Sequence, residues 1–295
     1  MSVRRIGIIG TENSHVDQFV RFLNIEERHP GNRAVALVGG RTERNEALCR
    51  TGNIGLVVEN PADLIGHVDA VIVSSRDGRT HREQAEPLLA AGLPVFVDKP
   101  FAGSVADAQA LIAAAERSGA TLGSGSALRF VSGISYLTDH AGQCGALRQV
   151  AMTGPADPDS EYAGLFFYGI HQVEAALQLL GDPVVEPGSL TTTASRHGDT
   201  VVALTRIGDV SLTFTFVTPS DGEQTSFHAT LTGTSGVCAA ALTLPADYTA
   251  PPLARFIDAC DRNEPQKDRS AVLAPIAVLE SVTDALASGA PYGKD

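Results

Sequence analysis

The chain opens with short apolar runs separated by polar, helix-like segments. Ile6 to Ile9 is an apolar run ended by Gly10, and Val16, Phe19, Val20 and Leu23 then recur at helical spacing. Ser14-x-x-Asp17 precedes them as a capping-box-like start. A second run, Ala34 to Val38, ends in Gly39-Gly40-Arg41-Thr42, and a polar helix follows to about Arg50. Asp69 to Ser75 reads as a third strand. Arg79 to Ala91 reads as a helix that Pro87 should kink or delay. Pro94 to Val97 is a strand tipped by Asp98 and Lys99, Ser104-x-x-Asp107 starts a helix that runs to Gly119, and Thr121-Leu122 begins another strand. Strands alternating with helices at this spacing mean parallel strands joined by right-handed crossovers. Residues 1–122 are therefore expected to form a Rossmann-like, doubly wound parallel sheet.

Beyond residue 122 the texture changes. Thr191 to Ala194, Thr200 to Arg206, Val210 to Val217 and Ser226 to Leu231 alternate apolar residues with Thr, Ser and charge, as strands with one wet face do. Helices are expected from Phe166 to Gly181, from Pro252 to Arg262 and from Ser270 to Ala287. Residues 123–295 thus read as an α+β domain with a largely antiparallel open sheet. That sheet, rich in Thr, Val and Phe, is a candidate face for a homodimer or homotetramer.

Composition narrows the function. The formal net charge of −12 disfavours nucleic acid and anionic membrane as partners. Cys49, Cys144, Cys238 and Cys260 are scattered without metal spacing and read as reduced, small apolar residues. With Met1 to Arg5 leading directly into the first strand and no apolar run of membrane-spanning length, a cytoplasmic location is expected. No metal site is expected.

Ligands of an open parallel sheet sit outside the carboxyl ends of its strands, so Asp98 and Lys99 point at the binding crevice. Among 22 Lys and Arg residues only Lys99, Lys267 and Lys294 are lysines. A lysine kept where arginine is the habit implies a compact ammonium used as a point charge or proton carrier, the competing reading being a strand-end cation paired with Asp98. The first turn, Gly10-Thr11-Glu12-Asn13-Ser14-His15, keeps only the first glycine of G-x-G-x-x-G. Glu12 would repel phosphates unless it points away, whereas His15 or the helix-start amides could still hold an anion. Arg41, at the end of the second strand, suits a 2′-phosphate and favours NADP over NAD; the alternative is a solvated arginine at a helix start.

In the second domain His171, Glu174 and Gln178 share one helical stripe opposite Val173, Leu177 and Leu180. The stripe is either a solvated face or a histidine with an orienting carboxylate, usable as general acid or base.

Asp98-Lys99-Pro100, followed far downstream by Gly169-x-His171-x-x-Glu174, resembles the glucose-fructose oxidoreductase, inositol dehydrogenase and MocA (Gfo/Idh/MocA) family. Ser74-Ser75-Arg76 with His81, Arg129-Phe130, and Phe256 to Cys260 extend the resemblance almost end to end. It implies a nicotinamide-binding N-terminal domain, a C-terminal domain that often forms a dimer interface, and hydride transfer between NAD(P) and a sugar or cyclitol hydroxyl. Lys99 would polarise the reacting oxygen and His171, with Glu174, would serve as acid or base at one shared substrate. Gly10, Thr11, Asn13, Ser14, His15, Arg41, Ser75, Arg76 and Asp98 would contact the cofactor, and Arg129 and Tyr168 the substrate. Phe167 stands where many members carry an aspartate. Tyr168 or Glu161 are candidates to fill that role. A catalytically inactive ligand-binding or regulatory homologue is the alternative, and a transient use of nicotinamide for elimination or hydrolysis a third.

Overall fold

The computed structural model describes residues 3–220, 222–223, 225–264 and 269–289, and these fall into two units. Lys267 and Lys294 lie outside the described residues.

The first unit comprises residues 1–125 and 247–269. In chain order it contains β1 (Arg4–Ile9), α1 (His15–Val20), β2 (Asn32–Val38), α2 (Thr42–Gly52), β3 (Leu56–Val58), β4 (Ala70–Val73), α3 (His81–Ala90), β5 (Val95–Val97), α4 (Val105–Ser118) and β6 (Leu122–Ser124). The strands form one parallel six-stranded sheet in the order β3-β2-β1-β4-β5-β6, which is the doubly wound Rossmann order. Every residue of β4 and β5 is buried, because a parallel sheet is covered on both faces and its strands read as unbroken apolar runs. Ile6, Ile8, Leu37, Ile72 and Phe96 join Phe19 and Phe22 in the core.

A later helix completes this unit. The helix over Ala250–Asp261, numbered α7 here for its place in the chain, sets Phe256 against Phe96, their rings 5.7 Å apart. Arg4 also pairs with Asp261 at 2.8 Å. The pattern along the chain placed this helix with the second half; its apolar face instead closes the first core.

The second unit comprises residues 126–246 and 270–295. It contains α5 (Ser132–His140), β7 (Leu147–Pro155), α6 (Leu165–Leu179), β8 (Thr193–His197), β9 (Thr200–Ile207), β10 (Val210–Val217), β11 (His228–Gly233), β12 (Val237–Ala241) and most of α8 (Arg269–Ser288). Its sheet runs β12-β11-β7-β10-β9-β8, with β7 and β10 parallel and the other neighbours antiparallel. Val150, Met152, Val201, Ala203, Leu212, Phe214, Phe216 and Leu231 are buried, while the alternate positions Val202, Leu204, Thr213 and Thr215 are half-exposed. Gly169 of α6 lies against this sheet: a Cβ there would come 3.0 Å from the Phe216 ring and 3.5 Å from Leu279 of α8.

β7, a central strand, has no counterpart in the expectation from sequence, because Gln149, Thr153, Gly154 and Pro155 leave only Val150 and Met152 as large buried residues. α8 corrects the expectation about membrane-spanning length. Residues Ser270–Ser288 are long and apolar enough to cross a bilayer, with a mean hydropathy of 1.5, but half of that window is buried within the protein. Val272, Ile276, Val278, Leu279 and Val282 are core residues.

Candidate active site

The first unit builds its site where β1, β4 and β5 end. Gly10 takes φ +88°, and a Cβ there would fall 2.2 Å from the Ser75 backbone nitrogen, so only glycine lets β1 turn this close to β4. Asn13 fixes the turn: its Nδ2 donates to the Ser74 carbonyl at 2.8 Å, and its Oδ1 accepts the His15 N–H at 3.1 Å. Asn13 thus does the capping expected of Ser14, which stays exposed and makes no side-chain cap bond. The other half of the expected capping box, Asp17, pairs with Arg44 at 2.6 Å.

Asp98 is the hub of this region. It is 4% exposed, accepts from Ser74 Oγ at 2.7 Å and from the Lys99 N–H at 2.8 Å, and sits 2.6 Å from His15 Nδ1. Burial alone would push its carboxyl up. The charge and hydrogen bond of His15, the charge of Lys99 and the Ser74 hydroxyl together outweigh burial and hold it well below the usual carboxylate range. His15, expected as an anion binder, is therefore committed to Asp98, with the Tyr248 ring edge-on at 5.3 Å. Lys99 is itself buried, at 7% exposure. Ser75 Oγ donates to Gln84 Oε1 at 2.9 Å, and the ring nitrogens of the buried His81 face the carbonyls of Pro100 and Ser75 at 2.8 and 2.9 Å.

Beside this hub a cleft of about 520 Å³ opens along the ends of β1 and β2. Gly10, Gly39 and Gly40 form part of its wall, and Glu12, Glu59 and Glu83 place three carboxylates on it. Glu12 Oε1 accepts the Arg76 N–H at 3.2 Å. Arg41, expected to greet a 2′-phosphate, is an exposed N-cap of α2 and is not part of the cleft wall. Behind Gly40 the buried Thr11 Oγ1 and Asn45 Oδ1 have no hydrogen-bond partner.

The second unit carries its own polar cluster on α6. His171 and Glu174 are buried and Gln178 is half-buried, so the stripe is not a solvated face. Ser126, fully buried, caps a 3₁₀ turn over Ala127–Phe130 by accepting the Leu128 N–H at 3.0 Å. The same Oγ meets His171 Nδ1 at 2.6 Å, while the Ser126 N–H donates to Glu174 Oε2 at 2.8 Å. Glu174 thus reaches His171 through Ser126. Arg129, expected at the substrate, is buried and clamps this cluster instead. It donates to both Asp182 oxygens at 2.6 and 2.7 Å and to the Glu174 carbonyl at 3.1 Å. Tyr168 and Phe227 set their rings edge-on to His171, each 5.7 Å away. Phe167 packs between Tyr162 and Tyr168 at 4.9 and 5.1 Å.

Reading the sequence missed Ser126, Asp182 and the cleft glutamates Glu59 and Glu83, and gave Ser74 no role beyond the resemblance. Ser126 was readable as a cap before Ala-Leu-Arg-Phe, but its partners lie 45 and 48 residues away. Among the described residues no group of three or more His, Cys, Asp or Glu side chains is placed to hold a metal ion.

Residues 4–126 match the family GFO_IDH_MocA, described as an oxidoreductase family with an NAD-binding Rossmann fold. The chain is similar to a 1,5-anhydro-D-fructose reductase of Ensifer adhaerens, with 35% identity over 104 residues, and to inositol 2-dehydrogenase 1 of Saccharopolyspora erythraea, with 36% identity over 112. These stretches are 35% and 37% of this chain and 31% and 32% of the relatives, so the chain matches about a third of the length of each. The solved structure of GenD2 from gentamicin A biosynthesis, in complex with NAD, shares the fold with a TM-score of 0.82. That match has 18% identity and covers 98% of this chain and 95% of that one.

Proposed function

Starting from the membership of residues 4–126 in the Gfo/Idh/MocA oxidoreductase family, we propose that the protein is an NAD-dependent oxidoreductase acting on a hydroxyl or keto carbon of a sugar or cyclitol. The observation that carries the reading is the cleft at the carboxyl ends of β1 and β2, closed against β4 by a glycine that tolerates no side chain. Gly10 supplies the tight turn that leads into the helix start where a pyrophosphate would lie, while Glu12 holds the place of the glycine that would let backbone approach it. Thr11 and Asn45 place unsatisfied buried oxygens behind Gly40 of the same cleft wall. When bound, the nicotinamide supplies the carbon that gives or takes the hydride.

The choice of NAD over NADP follows from charge. A 2′-phosphate would meet the carboxylates of Glu12, Glu59 and Glu83, whereas a ribose diol can donate hydrogen bonds to them. Arg41 stands outside that wall and offers no compensating cation. For the chemistry, the Lys99 ammonium is assigned to polarise the reacting oxygen, because a fixed cation stabilises a developing alkoxide. His171 is assigned as the proton carrier, with Ser126 a hydroxyl that accepts from, or donates to, Nδ1 as the ring gains or loses its proton.

Fluorescence titration with NADH and NADPH tests the cofactor assignment, followed by turnover assays with myo-inositol and 1,5-anhydrofructose for wild type, Lys99→Ala and His171→Ala. NADH is expected to bind at least about tenfold tighter than NADPH, a difference of about 1.4 kcal/mol. Turnover is expected to vanish in both variants while NADH binding survives in His171→Ala. Equal or tighter NADPH binding would reverse the cofactor assignment. Tight NADH binding without turnover of any polyol or ketose would leave a ligand-binding homologue, and binding of neither nucleotide would end the oxidoreductase reading.

A further inference from the structure

Four cysteines are free, and two of them lie together in the second unit. Cys144, at the end of the 3₁₀ turn Ala141–Cys144 that follows α5, is fully buried; Cys238 on β12 is half-buried. Their sulfurs are 3.1 Å apart. Bringing them to a disulfide length of about 2.05 Å requires a movement of roughly 1 Å. β12 is an edge strand of its sheet, paired with β11 on one side alone, so a shift of this size breaks into no second strand pairing. Cys49 and Cys260 belong to the first unit and pack against its core cluster.

We propose that Cys144 and Cys238 form an oxidisable thiol pair, converted by a hydroperoxide-class oxidant into a disulfide that ties β12 to the turn after α5. The half-buried Cys238 meets the oxidant first. Its thiolate attacks one peroxide oxygen, an S–O bond forms, the O–O bond breaks, and the second oxygen leaves as hydroxide, which takes up a proton to become water. Cys144 then attacks the Cys238 sulfenic sulfur. The S–S bond forms, the S–O bond breaks, and the hydroxyl leaves as water with the Cys144 proton. Overall two thiols and one hydrogen peroxide give one disulfide and two waters. The order of events suits the thiols: the hydrogen bond that Cys144 donates to Cys238, together with burial, pushes the Cys144 pKa up, which makes it the resolving and not the attacking sulfur. Burial likewise raises Cys260, to about 11, and keeps it out of the reaction.

The test treats the full chain with hydrogen peroxide at small molar excess, blocks remaining thiols with iodoacetamide, and maps the peptides by mass spectrometry before and after dithiothreitol. The expected product is lighter by a pair of hydrogens, contains a crosslinked peptide joining Cys144 to Cys238, reverts with dithiothreitol, and leaves Cys49 and Cys260 alkylated as in the untreated protein. In Cys144→Ser, Cys238 should stop at a sulfenic acid trapped by dimedone. In Cys238→Ser, Cys144 should remain a thiol under the same treatment. Conversion of wild-type Cys238 to sulfinic or sulfonic acid without a crosslink would overturn the proposal. So would a disulfide that recruits Cys49 or Cys260, or no oxidation at all while Cys238 alkylates freely in the native protein. The experiment needs neither cofactor nor substrate, so its result is independent of the proposed oxidoreductase activity.

Discussion

Asp98→Asn is the sharpest perturbation of the first unit, because it keeps the volume of the side chain and removes only its charge. In the wild type the carboxylate accepts from Ser74 Oγ at 2.7 Å and faces His15 Nδ1 at 2.6 Å through one oxygen, and accepts from the Lys99 N–H at 2.8 Å through the other. An asparagine can keep its carbonyl on the Lys99 amide, but its NH₂ then faces Ser74 and His15. Two charge-assisted hydrogen bonds disappear. Each is worth about 1.5–3 kcal/mol where buried, and the histidine loses the anion that compensates its desolvation. The expected loss is about 3–5 kcal/mol of unfolding free energy, read from urea unfolding at pH 7 with an unchanged m-value. His15→Gln supplies the second edge of a double-mutant cycle, with an expected coupling of about 1–3 kcal/mol. The pH dependence has a definite sign. The folded carboxyl titrates well below its unfolded value of about 3.9, so the unfolded chain takes the proton first. The stabilisation is complete above that value and disappears as pH falls through it toward the folded pKa, so the gap between wild type and Asp98→Asn should narrow steadily below about pH 5. A loss under about 1 kcal/mol, or additive single substitutions, would refute the idea that Asp98 is the electrostatic hub.

Two further expectations follow from the packing. Arg129→Ala should cost about 3–5 kcal/mol, because it leaves Glu174 buried and Asp182 half-buried without the guanidinium between them; chemical denaturation checks it, and Arg129→Lys should recover only part of the loss. Gly10→Ala should abolish NADH binding in the fluorescence titration and lower Tm, because its Cβ would collide with the Ser75 backbone at a φ of +88°.

The parallel sheet was legible because its strands are short and wholly buried: Ala70 to Val73 and Val95 to Val97 are runs with no polar residue to confuse the period. The same motif succeeded once and failed once. Ser104-x-x-Asp107 caps α4, its Oγ accepting the Asp107 N–H at 3.1 Å. Ser14-x-x-Asp17 does not cap α1, because Asn13, one residue earlier, accepts the His15 N–H and anchors the turn to Ser74. A local pattern cannot choose between adjacent candidates when the winner is decided by a contact 61 residues away. Of the two readings of the stripe of His171, Glu174 and Gln178, the solvated face failed for a related reason. Helical periodicity reports which residues share a face, but α6 is buried nearly all round, and there Ser126 meets both the His171 ring and the Glu174 carboxylate.

A consistent division of labour emerges when the two acidic candidates are compared. Asp98 was read as a cofactor contact and Glu174 as part of the acid–base pair, yet each is buried and already engaged by neighbours of its own unit. A carboxylate that accepts two or three hydrogen bonds is a poor proton acceptor, since every bond favours its charged form. Asp98 shows this directly in its lowered pKa. Such groups serve better as anchors: Asp98 holds the strand tip on which Lys99 is carried, and Glu174 holds the serine that meets His171. Under the proposed function the proton chemistry would then fall to the imidazole and the charge stabilisation to the ammonium. That role would account for a lysine at position 99 in an arginine-rich chain, because a guanidinium would spread the charge over a fork where the proposed reaction needs a single point.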